Sequence, residues 1–265
     1  MDRKLVVILV LLFISASALT LAAYFFGVFR FDLVVALVLR SQDHPAFAAL
    51  MAAVSYLGHG WVPVILVFAA AAVCALKRRW LEAAFVILTL SSGVLAGALK
   101  HIVGRPRPPG FIFSPNDIFL SLNQYAYPSG HVLFFVVFFG FIAYLGWKFL
   151  IGRTRWVVVS LCVALIMLIG PSRIYLGEHW VSDVIGSYLI GTFWLIILLL
   201  LYELVLHRVQ ARREKEKGRP GDPPVPVNEF HSITGRLDGG VLNPGDHSKL
   251  NSLTSDKQQR AAHVS

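Results

Sequence analysis

The sequence predicts an all-α, polytopic membrane protein. Of its 265 residues, 56% are hydrophobic and only 15% charged, against about 25% charged in an average soluble domain. The mean hydropathy is +0.67. Several apolar runs approach or exceed the ~20 residues needed to cross a bilayer.

Six transmembrane helices are expected, near residues 5–26, 61–76, 81–100, 131–149, 156–171 and 184–206. The first follows "MDRK", a basic start that resembles a signal peptide. Its apolar stretch continues through Tyr24-Phe25-Phe26, too long for a signal core, so an uncleaved anchor is expected. Between the first two spans lies "FDLVVALVLRSQDHPAFAALMAAVSYLGHG". Asp32, Arg40, Asp43 and Pro45 break it, which predicts short amphipathic or interfacial helices instead of another crossing. Domain organisation follows: a six-span membrane domain over 1–206, then a basic and afterwards polar tail over 207–265, read as disordered and cytoplasmic.

Charge placement orients the spans. Arg3-Lys4, Lys77-Arg78-Arg79, Lys148-Arg153-Arg155 and the Arg208–Arg219 cluster fall on alternate connections. The positive-inside rule makes that side cytoplasmic and puts both termini there. The net charge of +9 is spent largely on these loops, so no nucleic-acid partner is inferred. Cys74 and Cys162 lie in apolar runs and form no CxxC motif. Lys100, Arg105 and Arg107 sit on the opposite side, where cations need a reason other than topology.

Three polar clusters reach that opposite, extracytoplasmic face. "KHIVGRPRP" ends the third span, with Gly104, Pro106 and Pro108 stopping the helix. "PSGH", residues 128–131, opens the fourth. "SRIYLGEHWVSD" joins the fifth and sixth. If the sixth helix starts near Glu178, His179 and Asp183 share a face. The carboxylate can then accept the imidazole Nδ1–H and leave Nε2 as a lone-pair donor. Arg forks suit tetrahedral phosphate oxygens and Lys adds a point charge. Free N–H groups at the start of the fourth span can donate to an anion. This inventory suits phosphoryl transfer, with His179 as nucleophile, Asp183 stabilising it and His131 as general acid.

Lys100 with Arg107-Pro108, Pro128 through His131, and Ser172-Arg173 with His179 and Asp183 resemble three signatures of the type 2 phosphatidic acid phosphatase superfamily of integral membrane lipid phosphatases. The spacings agree: Lys, six residues, Arg-Pro; Pro-Ser-Gly-His; Ser-Arg, five residues, His, three residues, Asp. The resemblance covers roughly residues 1–206. It implies catalysis without metal or cofactor, a His179 nucleophile, and phosphate binding by Lys100, Arg107, Ser129, Gly130 and Arg173. It also implies hydrolysis of lipid phosphate monoesters or diphosphates, among them phosphatidate, phosphatidylglycerophosphate and undecaprenyl diphosphate. Short basic loops suggest a bacterial cell membrane with the site facing the periplasm or exterior.

The alternative is a lipid phosphotransferase with the same phosphohistidine and an acceptor other than water. A transporter or binding protein would hold phosphate without turnover. A zinc site at His131, His179 and Asp183 is disfavoured by three nearby cations. Arg105 lies outside the strict pattern and is read as an assistant. His59 and Trp180 are read as interfacial residues, and the Phe run at 134–141 as lipid-facing or core packing.

Overall fold

Residues 3–109 and 124–217 are described by the computed structural model, and all secondary structure among them is helical apart from one bridge between Pro106 and Tyr125. The chain divides into two units after Arg213; the site lies in the first. Helix α1 (Arg3–Phe26) is an unbroken apolar run that stops where Gly27 takes φ +66°, a left-handed geometry glycine adopts without steric cost. The interrupted stretch that follows forms α2 (Arg30–Arg40) and α3 (Pro45–Tyr56). Asp32 starts α2 by accepting the Phe29 N–H at 3.1 Å. Pro45 starts α3, where its missing N–H is not needed.

Helix α4 (Val62–Leu76) is followed by α5 (Trp80–Leu88) and α6 (Ser91–Val103). The last two run on as one apolar length from Trp80 to Val103. At the joint, Thr89 Oγ donates to Val86 O at 2.6 Å and Ser92 Oγ to Thr89 O at 2.8 Å, the back-bonding by which such side chains loosen a helix. Gly104, at φ +63°, ends α6 and returns its N–H to Lys100 O. Then come α7 (Gly130–Phe149), α8 (Gly152–Tyr175) and α9 (Val181–Lys217).

Among the described residues, five lengths are long and apolar enough to cross a membrane: α1, α5–α6, α7, α8 and α9. The expected second span, α4, has 15 residues, or about 22 Å at 1.5 Å per residue, short of a ~30 Å hydrocarbon core. Helix α9 continues to Lys217, past the expected domain boundary at 206. The rest of the expected tail lies outside the described residues.

Helix α7 occupies the centre. Phe135, Phe138 and Phe141 are buried, so the Phe run packs the core. Small residues bring α9 against it: a Cβ at Gly191 would meet Val136 Cβ at 3.0 Å, the close helix approach that membrane packing favours.

Helix α8 carries Pro171 internally. One turn earlier the Tyr188 hydroxyl of α9 has inserted into the ladder, donating to Ile166 O at 2.6 Å and accepting the Gly170 N–H at 3.2 Å. A Cβ at Gly170 would lie 2.7 Å from that oxygen. This opened turn delivers Ser172 and Arg173 to the end of α8.

The site end of the bundle is locked by a buried ionic network. Arg105 pairs with Asp32 at 2.7 Å and with Asp183, all three with fully buried side chains. Its Nε donates to Gly27 O, and Ser182 accepts from Arg105 while giving its N–H and hydroxyl to Asp32 at 2.7 and 2.8 Å. The α1–α2 turn, α2, the loop after α6 and the start of α9 thus share one guanidinium. Arg105→Met removes the only cation bonded to two buried carboxylates among the described residues. Breaking a buried pair from one side costs about 3–5 kcal/mol, so thermal unfolding in detergent should show a much lower midpoint. An unchanged midpoint would mean that the network holds nothing together.

Candidate active site

Each signature arrives on a helix end. Lys100 is buried on the last turn of α6, and the loop beyond turns back to carry Arg105 and Arg107. That loop pairs with the segment before α7, through the Pro106–Tyr125 bridge and the Ala126 N–H to Arg105 O bond at 2.8 Å. The first two signatures are therefore joined by backbone. Trp180 joins the third, its Nε1 donating to Pro106 O at 3.0 Å.

After α8 the chain folds back on itself. Arg173 O accepts the N–H groups of Glu178 and His179 at 3.1 and 3.3 Å, which sets Arg173 and His179 side by side. The Arg173 guanidinium donates to Ser55 Oγ on α3 and pairs with the Glu178 carboxylate. Arg107 donates to Glu178 O at 2.9 Å and stands 3.9 Å from its carboxylate. Glu178 therefore lies between two phosphate-binding candidates as an internal anion.

Ser129 precedes α7 but does not cap it with its side chain. Its N–H donates to Ser187 Oγ at 2.7 Å, and Ser187 donates to Asp183 O at 2.6 Å. Ser129 Oγ and His131 Nε2 are buried without a hydrogen-bond partner among the described residues. Buried polar atoms are seldom left so, because each costs about 1–3 kcal/mol. A Cβ at Gly130 would meet only Ala96, at 4.0 Å, so protein packing does not demand glycine there.

His179 is buried and its Nδ1 lies 2.7 Å from Ala126 O, the carbonyl of the residue two before Pro128. The bond fixes Nδ1 as the protonated nitrogen and leaves Nε2 its lone pair. Burial holds the imidazole pKa well below its usual value, and Arg107, Arg173, Lys100 and His131 push the same way. The strongest charges felt by His131 are those of Arg173, Lys100, His59 and Arg107. Lys100, Arg107, His131, Arg173 and His179 thus form one cationic cup, with Ser129 two residues before His131.

Two expectations are corrected, and the place of Arg105 is made specific. Asp183 Oδ2 is 3.7 Å from His179 Nδ1, because α9 begins at Val181 and leaves His179 in the preceding turn. The carboxylate instead accepts the Trp180 N–H at 2.8 Å and the Arg105 pair, so it shapes the turn that carries His179. Trp180 is buried as a clamp between signatures, not an interfacial anchor. Arg105 lies in the scaffold beneath the cup, bound to Asp183. Reading the sequence missed Asp32, Ser55, Ser182 and Ser187. Asp32 left a signal, since a carboxylate in an apolar helix needs a buried partner.

Beside His179 a cavity of about 160 Å³ opens between α2 and the α8–α9 turn, with Leu33, Leu37, Ile174 and Trp180 among its apolar walls and Arg40 also lining it. Among the described residues no three His, Cys, Asp or Glu side chains are grouped to hold a metal.

The fold and cup define a class: a helical membrane protein with a buried, cationic, histidine-bearing site. The PAP2 superfamily model matches residues 79–206 of the chain. An undecaprenyl-diphosphatase of Sulfolobus acidocaldarius is 29% identical over 140 residues, 50% of this chain and 59% of that protein. Phosphatidylglycerophosphatase B of Bacillus subtilis is 25% identical over 150 residues, 56% and 71% of the two. A lipid A 1-phosphatase of Rhizobium etli is 29% identical over 132 residues, 48% and 53%. The alignments thus span between about half and seven-tenths of these relatives. The crystal structure of a transmembrane PAP2-type phosphatidylglycerolphosphate phosphatase from Bacillus subtilis superposes with a TM-score of 0.62 over 74% of this chain and 96% of that one, at 22% identity. That likeness concerns the fold.

Glu178→Gln should let an external anion compete better for Arg173 and Arg107. The Glu178 side chain is about a quarter exposed, and partly screened pairs are worth up to about 1 kcal/mol. Vanadate, as a five-coordinate phosphorus mimic, should therefore inhibit this variant at roughly 2–5-fold lower concentration. Weaker inhibition would show that Glu178 organises the arginines instead of competing for them.

Proposed function

We propose that this chain is an integral membrane lipid phosphatase that works through a phosphohistidine, without metal or cofactor. The observation that carries the reading is the pair of partnerless buried atoms, Ser129 Oγ and His131 Nε2, beside three cations and a neutral buried imidazole. A phosphate oxyanion satisfies all of them at once. Catalysis of phosphoryl transfer is mostly positioning and neutralisation of charge on the equatorial oxygens, which Lys100, Arg107, Arg173, Ser129 and the first N–H groups of α7 supply.

The His179 Nε2 lone pair forms the N–P bond as the bond to the leaving oxygen breaks. The His131 proton passes to that oxygen. Water then attacks phosphorus, gives a proton to His131, and the N–P bond breaks. Asp183 acts at one remove, by holding the turn that carries His179. The apolar walls beside His179 support a substrate with a hydrocarbon chain. The named relatives supply candidate headgroups: undecaprenyl diphosphate, phosphatidylglycerophosphate, phosphatidate and the lipid A 1-phosphate. Helix α4, lengthened by flanking residues, makes a sixth crossing in this reading. The cup then faces the periplasm or exterior and both termini the cytoplasm, in line with the positive-inside rule.

The test is a parallel assay of these lipids with purified protein in detergent. Phosphate release from at least one, with an acid-labile phosphoenzyme that His179→Ala abolishes, is expected. No release from any would overturn the reading, and transfer to an added lipid acceptor in place of water would make the chain a phosphotransferase.

A pH prediction follows from the depressed His179 pKa. An ordinary histidine loses its lone pair to a proton as pH falls through about 6.5. With the folded value well below that, the nucleophile stays neutral at about pH 6. 15N NMR of the imidazole should detect no His179 titration between about pH 7.5 and 6. A midpoint near 6.5 would remove the neutral nucleophile from the free protein.

A further inference from the structure

The turn between α3 and α4, "YLGHG" at residues 56–60, belongs to none of the three signatures, yet it forms a wall of the site. Two bonds anchor α3 to the end of α8: Ser172 Oγ donates to Met51 O at 2.6 Å, and Arg173 donates to Ser55 Oγ. The turn continues from there in a fixed conformation, with Gly58 N–H on Ser55 O and His59 N–H on Tyr56 O, each at 3.0 Å.

A Cβ built at Gly58 would overlap Cδ2 of His131 and lie 3.0 Å from its Cγ and 3.1 Å from its Nε2. Ordinary carbon contacts begin near ~3.5 Å. The three nearest heavy atoms all belong to that one imidazole. Gly58 is not among the glycines with positive φ, unlike Gly60 in the same turn. Backbone conformation therefore does not require glycine at 58, and the ring of His131 does.

We infer that Gly58 is a positioning residue for the general acid: its bare backbone seats the His131 ring so that Nε2 faces the leaving oxygen. The inference rests on the proposed role of His131. In that step the P–O bond breaks, its electron pair goes to the leaving oxygen, and the proton on His131 Nε2 follows. A methyl group at 58 pushes the ring away from its seat, so proton delivery weakens while nucleophilic attack by His179 does not.

The test compares the full chain and Gly58→Ala, His131→Ala, the double variant and Gly93→Ala, whose added Cβ would meet nothing within 4 Å. Two substrates are used in detergent: dodecyl phosphate, whose alkoxide needs a proton to leave, and p-nitrophenyl phosphate, whose phenolate does not. General acid catalysis is worth about 10²–10⁴-fold. Because His131 also takes the proton of the hydrolytic water, the quantity read is the single-turnover rate of phosphoenzyme formation: Gly58→Ala should lose roughly 10–100-fold with dodecyl phosphate and under about 3-fold with p-nitrophenyl phosphate, with Gly93→Ala like wild type on both. In the double variant the ring is gone, and adding Gly58→Ala to His131→Ala should change neither rate nor folding. That arm holds even if the overlap in Gly58→Ala prevents folding. Equal loss on both substrates in Gly58→Ala, or further damage in the double variant, overturns the inference. Equal loss in His131→Ala itself would instead overturn the general-acid role, and the inference with it.

Discussion

One buried guanidinium governs the geometry of this molecule. Arg105 lies between Asp32 of α2 and Asp183 of α9, with no exposure of any of the three side chains. Ions of this kind are expensive to remove from water, and only close pairing with further hydrogen bonds offsets that cost. The network meets the condition: Asp32 also accepts from Ser182 and Phe29, and Asp183 from Trp180. Its consequence is positional. The loop after α6 cannot move relative to α9 without separating charges, so Arg107 and the turn bearing His179 keep a constant relation.

Above that lock, the cup itself is electrostatically unfavourable in isolation. Lys100, Arg107 and Arg173 converge on two histidines, and the protein answers partly with Glu178, whose carboxylate meets Arg173 and approaches Arg107. Burial first, and then these same cations, push the His179 pKa well below its usual value. In the proposed reading, nucleophile and anion-binding site are thus made by one buried arrangement of charge. The Nδ1 bond to a backbone carbonyl suits this role better than a bond to Asp183 would. A neutral acceptor orients the ring without restoring its proton affinity.

The residues of the cup were legible in the sequence because their chemistry depends on residue type and spacing: a lysine seven residues before Arg-Pro, a histidine four before an aspartate. The helical layout was legible from apolar length, though α4 came out shorter than a standard crossing. What could not be read was which polar groups hold which. His179 and Asp183 are four apart, yet the helix starts two residues later than His179, and so the ring turns to Ala126 instead. Arg105 and Arg107 look alike in "GRPRP", but they are separated by one proline and point to different layers, one into the scaffold and one to the cup. Trp180 has the sequence profile of an interfacial aromatic, and only its bond to Pro106 O reveals a clamp.

The part of the chain that matches the PAP2 superfamily starts at residue 79, and every cup residue lies within it. Much of what orients that cup lies before it. Asp32 holds Arg105 and Ser182, Ser55 and Met51 hold Arg173 and Ser172, and Gly58 meets the His131 ring. The first 60 residues therefore do more than add an anchor and two short helices. The matched segment supplies groups that would touch phosphate, whereas α2, α3 and the turn after them supply the constraints on where those groups sit. A side chain that meets substrate is restricted by the chemistry of phosphate, which is the same for every lipid. A side chain that meets only another side chain is restricted by packing, which differs from one bundle to the next. In the proposed reading, the groups that would touch phosphate follow the chemistry of phosphate, while the groups that aim them follow the packing of this bundle.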